Sequence, residues 1–182
     1  MSVVAPGRVA DLPGSPVALI ATGNWWALAA RIAIAIARNG WTIAAACPAH
    51  SPLSYVKGVS MVLPLSALAP RKSLIAAIRK VRPDLIVPCD DSTVFLLHEI
   101  HAACPDLRQM IERSLGHSDG FPILESRDSL QRVAADLGIR VPRSFAVASA
   151  AQAAERFAIG SLPDDYLLVI TAGSACRRPR PA

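Results

Sequence analysis

Two adjacent carboxylates, Asp90 and Asp91, follow the short apolar stretch Asp84–Val87 and the pair Pro88-Cys89. At the carboxyl end of a parallel strand, such a pair can orient the amine or hydroxyl of a substrate. The competing reading gives Asp91 or Ser92 to the cap of the helix that follows. A second place for chemistry is Thr22-Gly23-Asn24, which breaks the run Val17–Ala21 from an Ala/Ile-rich stretch reaching Arg38. A Gly turn between strand and helix aims backbone N–H groups at whatever binds above the strand ends. Gly23 and Asn24 are therefore candidate substrate contacts, and Asn24 is also a candidate helix cap. Dinucleotide binding needs G-x-G-x-x-G for close approach to the pyrophosphate. Here the turn reads G-N-W-W-A-L, which disfavours NAD and FAD. Trp25 and Trp26 are expected to be partly buried at a plain βα turn.

Other chemistries find less support. His98, His101 and Cys104 fall three apart on one expected helix, but position 102 is Ala, so the zinc pattern H-E-x-x-H is missing. They read as a helix face, and no metal site is assigned. There is no Walker sequence and no recognisable Ser/His/Asp or Cys/His arrangement, so no residue is given a catalytic role. Cys47, Cys89, Cys104 and Cys176 form no CxxC pair. They fit free thiols in a reducing, cytoplasmic setting better than a disulfide framework.

The formal net charge is +5, but Arg177, Arg178 and Arg180 crowd the last six residues and the remaining charge is scattered. That distribution argues against nucleic acid as a partner. Residues 1–16 lack the basic and apolar regions of a secretory signal. Residues 17–37 have the length of a membrane span. Gly23, Asn24 and Arg31 interrupt them, and an Arg near the centre costs about 2.5–3.5 kcal/mol on insertion. No membrane partner is expected.

The elements that must position these residues follow from apolar patterning. Strands are expected at Val17–Ala21, Trp41–Cys47, Val59–Leu65 and Asp84–Val87, with a polar, turn-rich segment over 49–58. Gly40 sits where a left-handed cap closes the first helix. Leu74, Ile75, Ile78 and Val81 recur at helical spacing between Pro70 and Val81. A helix over Ser92–Ala103 comes next, then one capped by Asp106, then a loop at 117–121. Ser126 opens a helix closed by Gly138, and Ile139–Pro142 is extended. A strand at 145–147, a helix from Ser149 to Gly160 and an apolar strand at Tyr166–Ile170 complete the chain. Strands alternating with helices predict an α/β, Rossmann-like parallel sheet with helices on both faces. The pattern changes near 122–126. The expected organisation is a flexible leader (1–15), the Rossmann-like domain (16–123), a second domain begun over 124–172, and an irregular basic tail (173–182).

Two stretches together resemble the ATP-grasp superfamily of carboxylate–amine ligases. VALIATG, its long helix and DLIVPCDD resemble the domain that precedes the ATP-grasp fold. SRDSLQRVAADLGIRVP, residues 126–142, is similar to the family pattern of a Lys-led helix ending in "lGipvP". The resemblance implies that 124–172 begins an α+β ATP-grasp subdomain. It puts Arg127 at the Lys position that contacts nucleotide phosphate; Arg keeps the charge but not the compact ammonium. It also aligns YLLVITA with a strand whose Lys is a second nucleotide contact, a place held here by Thr171, which has no charge.

The function implied is that of an N-terminal fragment of a ligase joining a carboxylate to an amine through an acyl phosphate. ATP and Mg²⁺ serve the full-length family. An apolar strand turning into Arg/Pro-rich residues reads as a truncation, so this chain is expected to bind neither cofactor alone and to lack catalytic competence. Its expected partner is a small-molecule carboxylate, held near Gly23, Asn24, Asp90 and Asp91; the sequence sets no oligomeric state. The alternative is a stand-alone Rossmann-like small-molecule-binding or regulatory module without catalysis.

Overall fold

The computed structural model describes residues 14–124, 127–142, 149 and 151. The chain divides into two compact units at Ser118/Asp119. The first carries a four-stranded, all-parallel sheet, as the βαβ pattern predicted. Its strands are β1 (Val17–Ala21), β2 (Thr42–Cys47), β3 (Val59–Pro64) and β4 (Leu85–Pro88). Helix α1 (Ala27–Ala37) links β1 to β2, and α2 (Pro70–Val81) links β3 to β4. Helices α3 (Asp91–Ala103) and α4 (Arg108–Leu115) follow β4. Between β2 and β3 the chain makes only a 3-10 turn, Pro52–Tyr55.

The strands lie in the order β3-β2-β1-β4. The chain walks outward from β1 to β3, then crosses back to place β4 on the other side of β1. Right-handed crossovers in opposite directions put α1 and α2 on opposite faces of the sheet. Strand alternation divides the core accordingly. Ala18, Ile20, Ile43, Ala45 and Cys47 pack with Ala29 and Ala33 of α1 and with Leu53. Leu19, Ala21, Ala44, Ala46 and Ile86 are buried on the alternate positions. Near-continuous burial of β1 and β2 is what a parallel sheet covered on both faces requires.

Local signals explain the element ends. Gly40, at φ +83°, takes the left-handed position that closes α1, and its N–H donates to the Ala37 carbonyl. Asn24 does not cap that helix: α1 begins three residues later, behind Trp26, with no side-chain cap. Asp106 does not cap α4 either. It lies in a 3-10 turn, Pro105–Leu107, and its carboxylate takes a two-pronged contact from Arg79 at 3.0–3.2 Å. At the outer side of β4, the Ile86 N–H donates to Ser114 Oγ on α4 at 2.9 Å.

The second unit contains a one-turn helix, α5 (Phe121–Leu124), and α6 (Arg127–Asp136), which ends at Gly138 with φ +75°. The 117–121 segment, expected as a loop, is a 3-10 turn at Ser118–Gly120 running into α5. The cap expected from Ser126, the strand at 145–147, the Ser149–Gly160 helix, the Tyr166–Ile170 strand and Thr171 lie outside the described residues. No helix among the described residues is long and apolar enough to cross a membrane.

Candidate functional site

Where strand order reverses, neighbouring loops leave in opposite directions and open a crevice at the strands' carboxyl ends. In this sheet the reversal falls between β1 and β4. The Gly23 turn leaves β1 there, and Pro88-Cys89-Asp90 leaves β4 beside it. Ala21 faces Pro88 in the ladder, and the Cys89 N–H donates to the Ala21 carbonyl at 2.8 Å. The two turns suspected from sequence are thus neighbours, although 67 residues separate Gly23 from Asp90.

Asp90 ties them together. Its Oδ2 accepts from the Gly23 N–H at 2.7 Å and from the Thr22 hydroxyl at 2.8 Å. Its Oδ1 accepts from the Thr93 N–H at 2.8 Å, the Thr93 hydroxyl at 2.9 Å and the Ser92 hydroxyl. Asp90, not Asp91 or Ser92, is therefore the N-cap of α3. Burial pushes its carboxyl up in pKa. The hydrogen bonds from Ser92, Thr22, Thr93 and Gly23 outweigh burial and hold it below the usual carboxylate range. The result is a staple that is ionised near neutral pH, with both oxygens occupied.

Gly23 is favoured here by close approach. A Cβ at this position would stand 3.1 Å from Ser92 Oγ and 3.8 Å from Asp90 Oδ1. Its N–H, which the turn geometry suggested for a ligand, is engaged by Asp90. The Asn24 N–H donates to Thr22 Oγ at 3.1 Å, and the Asn24 side chain makes no hydrogen bond among the described residues. Asp91 stands exposed in the first turn of α3. Asn24 and Asp91 are thus the polar side chains this edge offers outward.

The flanking indoles are more exposed than expected. Trp25 is 63% and Trp26 57% exposed. Trp25 is fixed by its Nε1–H, which donates to the Ala49 carbonyl at 3.0 Å. Cys89, just before the staple, is held mainly as the thiol near neutral pH. Burial, with the Asp90 charge beside it, raises its thiol pKa to about 11.

The remaining candidates lie elsewhere. Arg127 is the first residue of α6 in the second unit. His98 is buried and meets Phe95 edge-on, with ring centroids 6.4 Å apart, while the His101 ring lies 2.9 Å from Glu112 of α4. Among the described residues, no group of three or more His, Cys, Asp or Glu is placed to hold a metal ion.

Sequence reasoning missed Thr22 and Thr93 as partners of Asp90, and it read Ser92 as a cap rather than as a donor to the capping carboxylate. For Thr93 the signal was its place three residues after Asp90, the spacing of a capping box. Thr22 had no local signal, because its partner is far away in sequence.

No family model and no curated protein matches the sequence. Solved structures do. The chain superposes on N5-carboxyaminoimidazole ribonucleotide synthetase, solved as its ADP complex, with a TM-score of 0.54 and 19% identity. That match covers 84% of this chain and 37% of the other. Glycinamide-RNase-transformylase T from Mycobacterium tuberculosis gives a TM-score of 0.50 and 20% identity, covering 80% of this chain and 40% of its own. Both are ATP-grasp enzymes. The likeness is one of fold: this chain has the α/β architecture found at the start of ATP-grasp proteins. It spans about two fifths of either enzyme's length.

Proposed function

We propose that this chain is the substrate-side portion of an ATP-grasp ligase, one that joins a carboxylate to an amine through an acyl phosphate. The observation that carries this reading is the Asp90 staple at the β1/β4 reversal, in a fold shared with ATP-grasp enzymes. The crevice lies where open parallel sheets bind ligands, and the staple fixes its floor before any ligand arrives. Asp90 and Gly23 act as positioning residues. The Asn24 amide can donate to a substrate carboxylate, and the exposed Asp91 can accept from an amine or hydroxyl.

Arg127, at the head of α6, takes the role of a nucleotide phosphate contact by resemblance, and Thr171 that of the second, uncharged nucleotide position. Bound ATP would supply the activating phosphoryl group. The described residues offer no cluster for Mg²⁺, so no step is drawn through that ion. On this reading residues 16–123 form the substrate-side domain and 124–172 the beginning of the ATP-grasp domain. The free thiols Cys47, Cys89 and Cys104 suit the cytoplasm.

The test is a titration of isotope-labelled chain with a panel of amino-acid, hydroxy-acid and heterocyclic carboxylates. The amides of Gly23, Asn24 and Asp91 are expected to shift saturably with at least one of them. A panel that leaves all three unmoved overturns the assignment of this edge.

A further inference from the structure

The opposite edge of the sheet carries a cleft with no part in the site above. We propose that it is a second ligand site, for a small anion with a planar aromatic body. The cleft measures about 770 Å³ and forms where the last turn of α1, the starts of β2 and β3, and the 3-10 connector meet. That volume is within the range of small-molecule sites, about 300–1,000 Å³. Strands of five or six residues separate it from the β1/β4 crevice, about 17–20 Å at the usual rise per residue.

Its chemistry points one way. Arg38 and Lys57 line the cleft, and no acidic residue among the described ones does. Neither cation is engaged by an ion pair or side-chain hydrogen bond among the described residues. The helix end beside Arg38 does not need its charge. The last carbonyls of α1 accept from the N–H groups of Arg38, Asn39 and Gly40, and the Asn39 side chain reaches the Ala35 carbonyl at 2.8 Å. Two cations in a concave, partly apolar wall concentrate positive potential and favour an anion.

The apolar part of the wall suits a flat ring. Ile34 and the half-buried indole of Trp41 line it, together with Tyr55. Tyr55 is 70% exposed, yet its hydroxyl is held 3.0 Å from His50 Nδ1. An exposed ring already fixed in orientation loses little freedom when another ring stacks on it.

The experiment compares three probes on the isotope-labelled chain: 2-naphthoate, its neutral analogue 2-naphthamide, and inorganic phosphate. Naphthoate is expected to shift the Trp41 indole N–H and the amides of Thr42 and Lys57 saturably. Naphthamide and phosphate should each bind at least about tenfold more weakly, the equivalent of ~1.4 kcal/mol. Arg38→Gln combined with Lys57→Gln should remove that preference for naphthoate while leaving naphthamide binding unchanged. Both positions are exposed, so the thermal midpoint of the double variant should match the parent and show that the fold is intact. Equal affinity for naphthoate and naphthamide overturns the charge argument, and equal affinity for phosphate overturns the aromatic one. The absence of any saturable shift at these three reporters overturns the site. Reporters at 22–24 and 90–92 read the ligase assignment separately, so either idea can fail without the other.

Discussion

Above the carboxyl ends of β1 and β4, five donors converge on the two oxygens of Asp90. At the amino ends of β1, β2 and β3, two cations border an open cleft and engage nothing among the described residues. Both edges belong to one rigid sheet, and both are lined by polar groups, yet they do different physical work. At the first, the polar groups satisfy one another, so their removal should be felt as stability. At the second, the polar groups contribute little to the fold, so their removal should be felt only as lost affinity. Exposure or charge alone does not separate a scaffold from a binding surface; whether donors and acceptors are already matched does.

The sharpest break of this contrast is Asp90→Ala. It takes the shorter acceptor from the hydroxyl of the fully buried Thr22, strands the Gly23 N–H and removes the α3 cap. The expected loss is about 2–4 kcal/mol, read as a lower urea midpoint at unchanged slope. The same residue predicts a pH signature. Its folded pKa is depressed, so its contribution is complete above the unfolded value of about 3.9 and is lost as pH falls through the folded value. The stability gap between the parent chain and Asp90→Ala should therefore close on acidification below about pH 4 and stay constant near neutrality.

Gly23→Ala is a gentler probe of the same edge. The new methyl meets Ser92 Oγ at 3.1 Å, and Ser92 must turn from Asp90 to admit it. About 1 kcal/mol is expected, with Gly23→Val costing more; equal midpoints for Gly23→Ala and the parent would refute the tight approach. Cys89 reports the edge without mutation. With a pKa of about 11, its thiolate fraction at neutral pH is about 300-fold below that of an unperturbed thiol near 8.5, and its alkylation by iodoacetamide should be slowed by roughly two orders of magnitude. The smallest effect belongs to the other edge. Arg38→Gln with Lys57→Gln should change stability by less than about 0.5 kcal/mol, and a larger loss would show those cations to be structural.

Much of the scaffold was legible because its signals are local. The apolar runs at Val17–Ala21 and Trp41–Cys47 had to be buried strands, and the Leu74–Ile75–Ile78 periodicity had to be α2. Gly40 and Gly138 marked helix ends through a backbone conformation that few other residues accept. What escaped depends on contacts across the chain. Asn24 looked like a cap, but Trp25 and Trp26 hold extended chain before α1 begins. Asp90 looked free to meet a substrate, but Thr22 and Gly23 reach it from 67–68 residues away. The cleft had no motif, because residues 34–42 and 52–60 meet only once β2 lies between β1 and β3. The resemblance of 126–142 falls on a helix, α6 (Arg127–Asp136), but the role it lends Arg127 depends on a nucleotide's position rather than on any local pattern.

The hydrogen bond from the Ile86 N–H to Ser114 Oγ has a consequence for assembly. An open sheet can recruit a foreign strand through unpaired amides along its border. On the β4 side, α4 occupies one such amide with its own hydroxyl, so a new strand would have to displace a helix to pair there. On the β3 side, Met61 and Val62 stand about 40% exposed along a strand that has no neighbour beyond it among the described residues. Among the described residues the sheet is therefore polar in its capacity to grow: templated strand addition meets a helix on the β4 side and a bare strand on the β3 side.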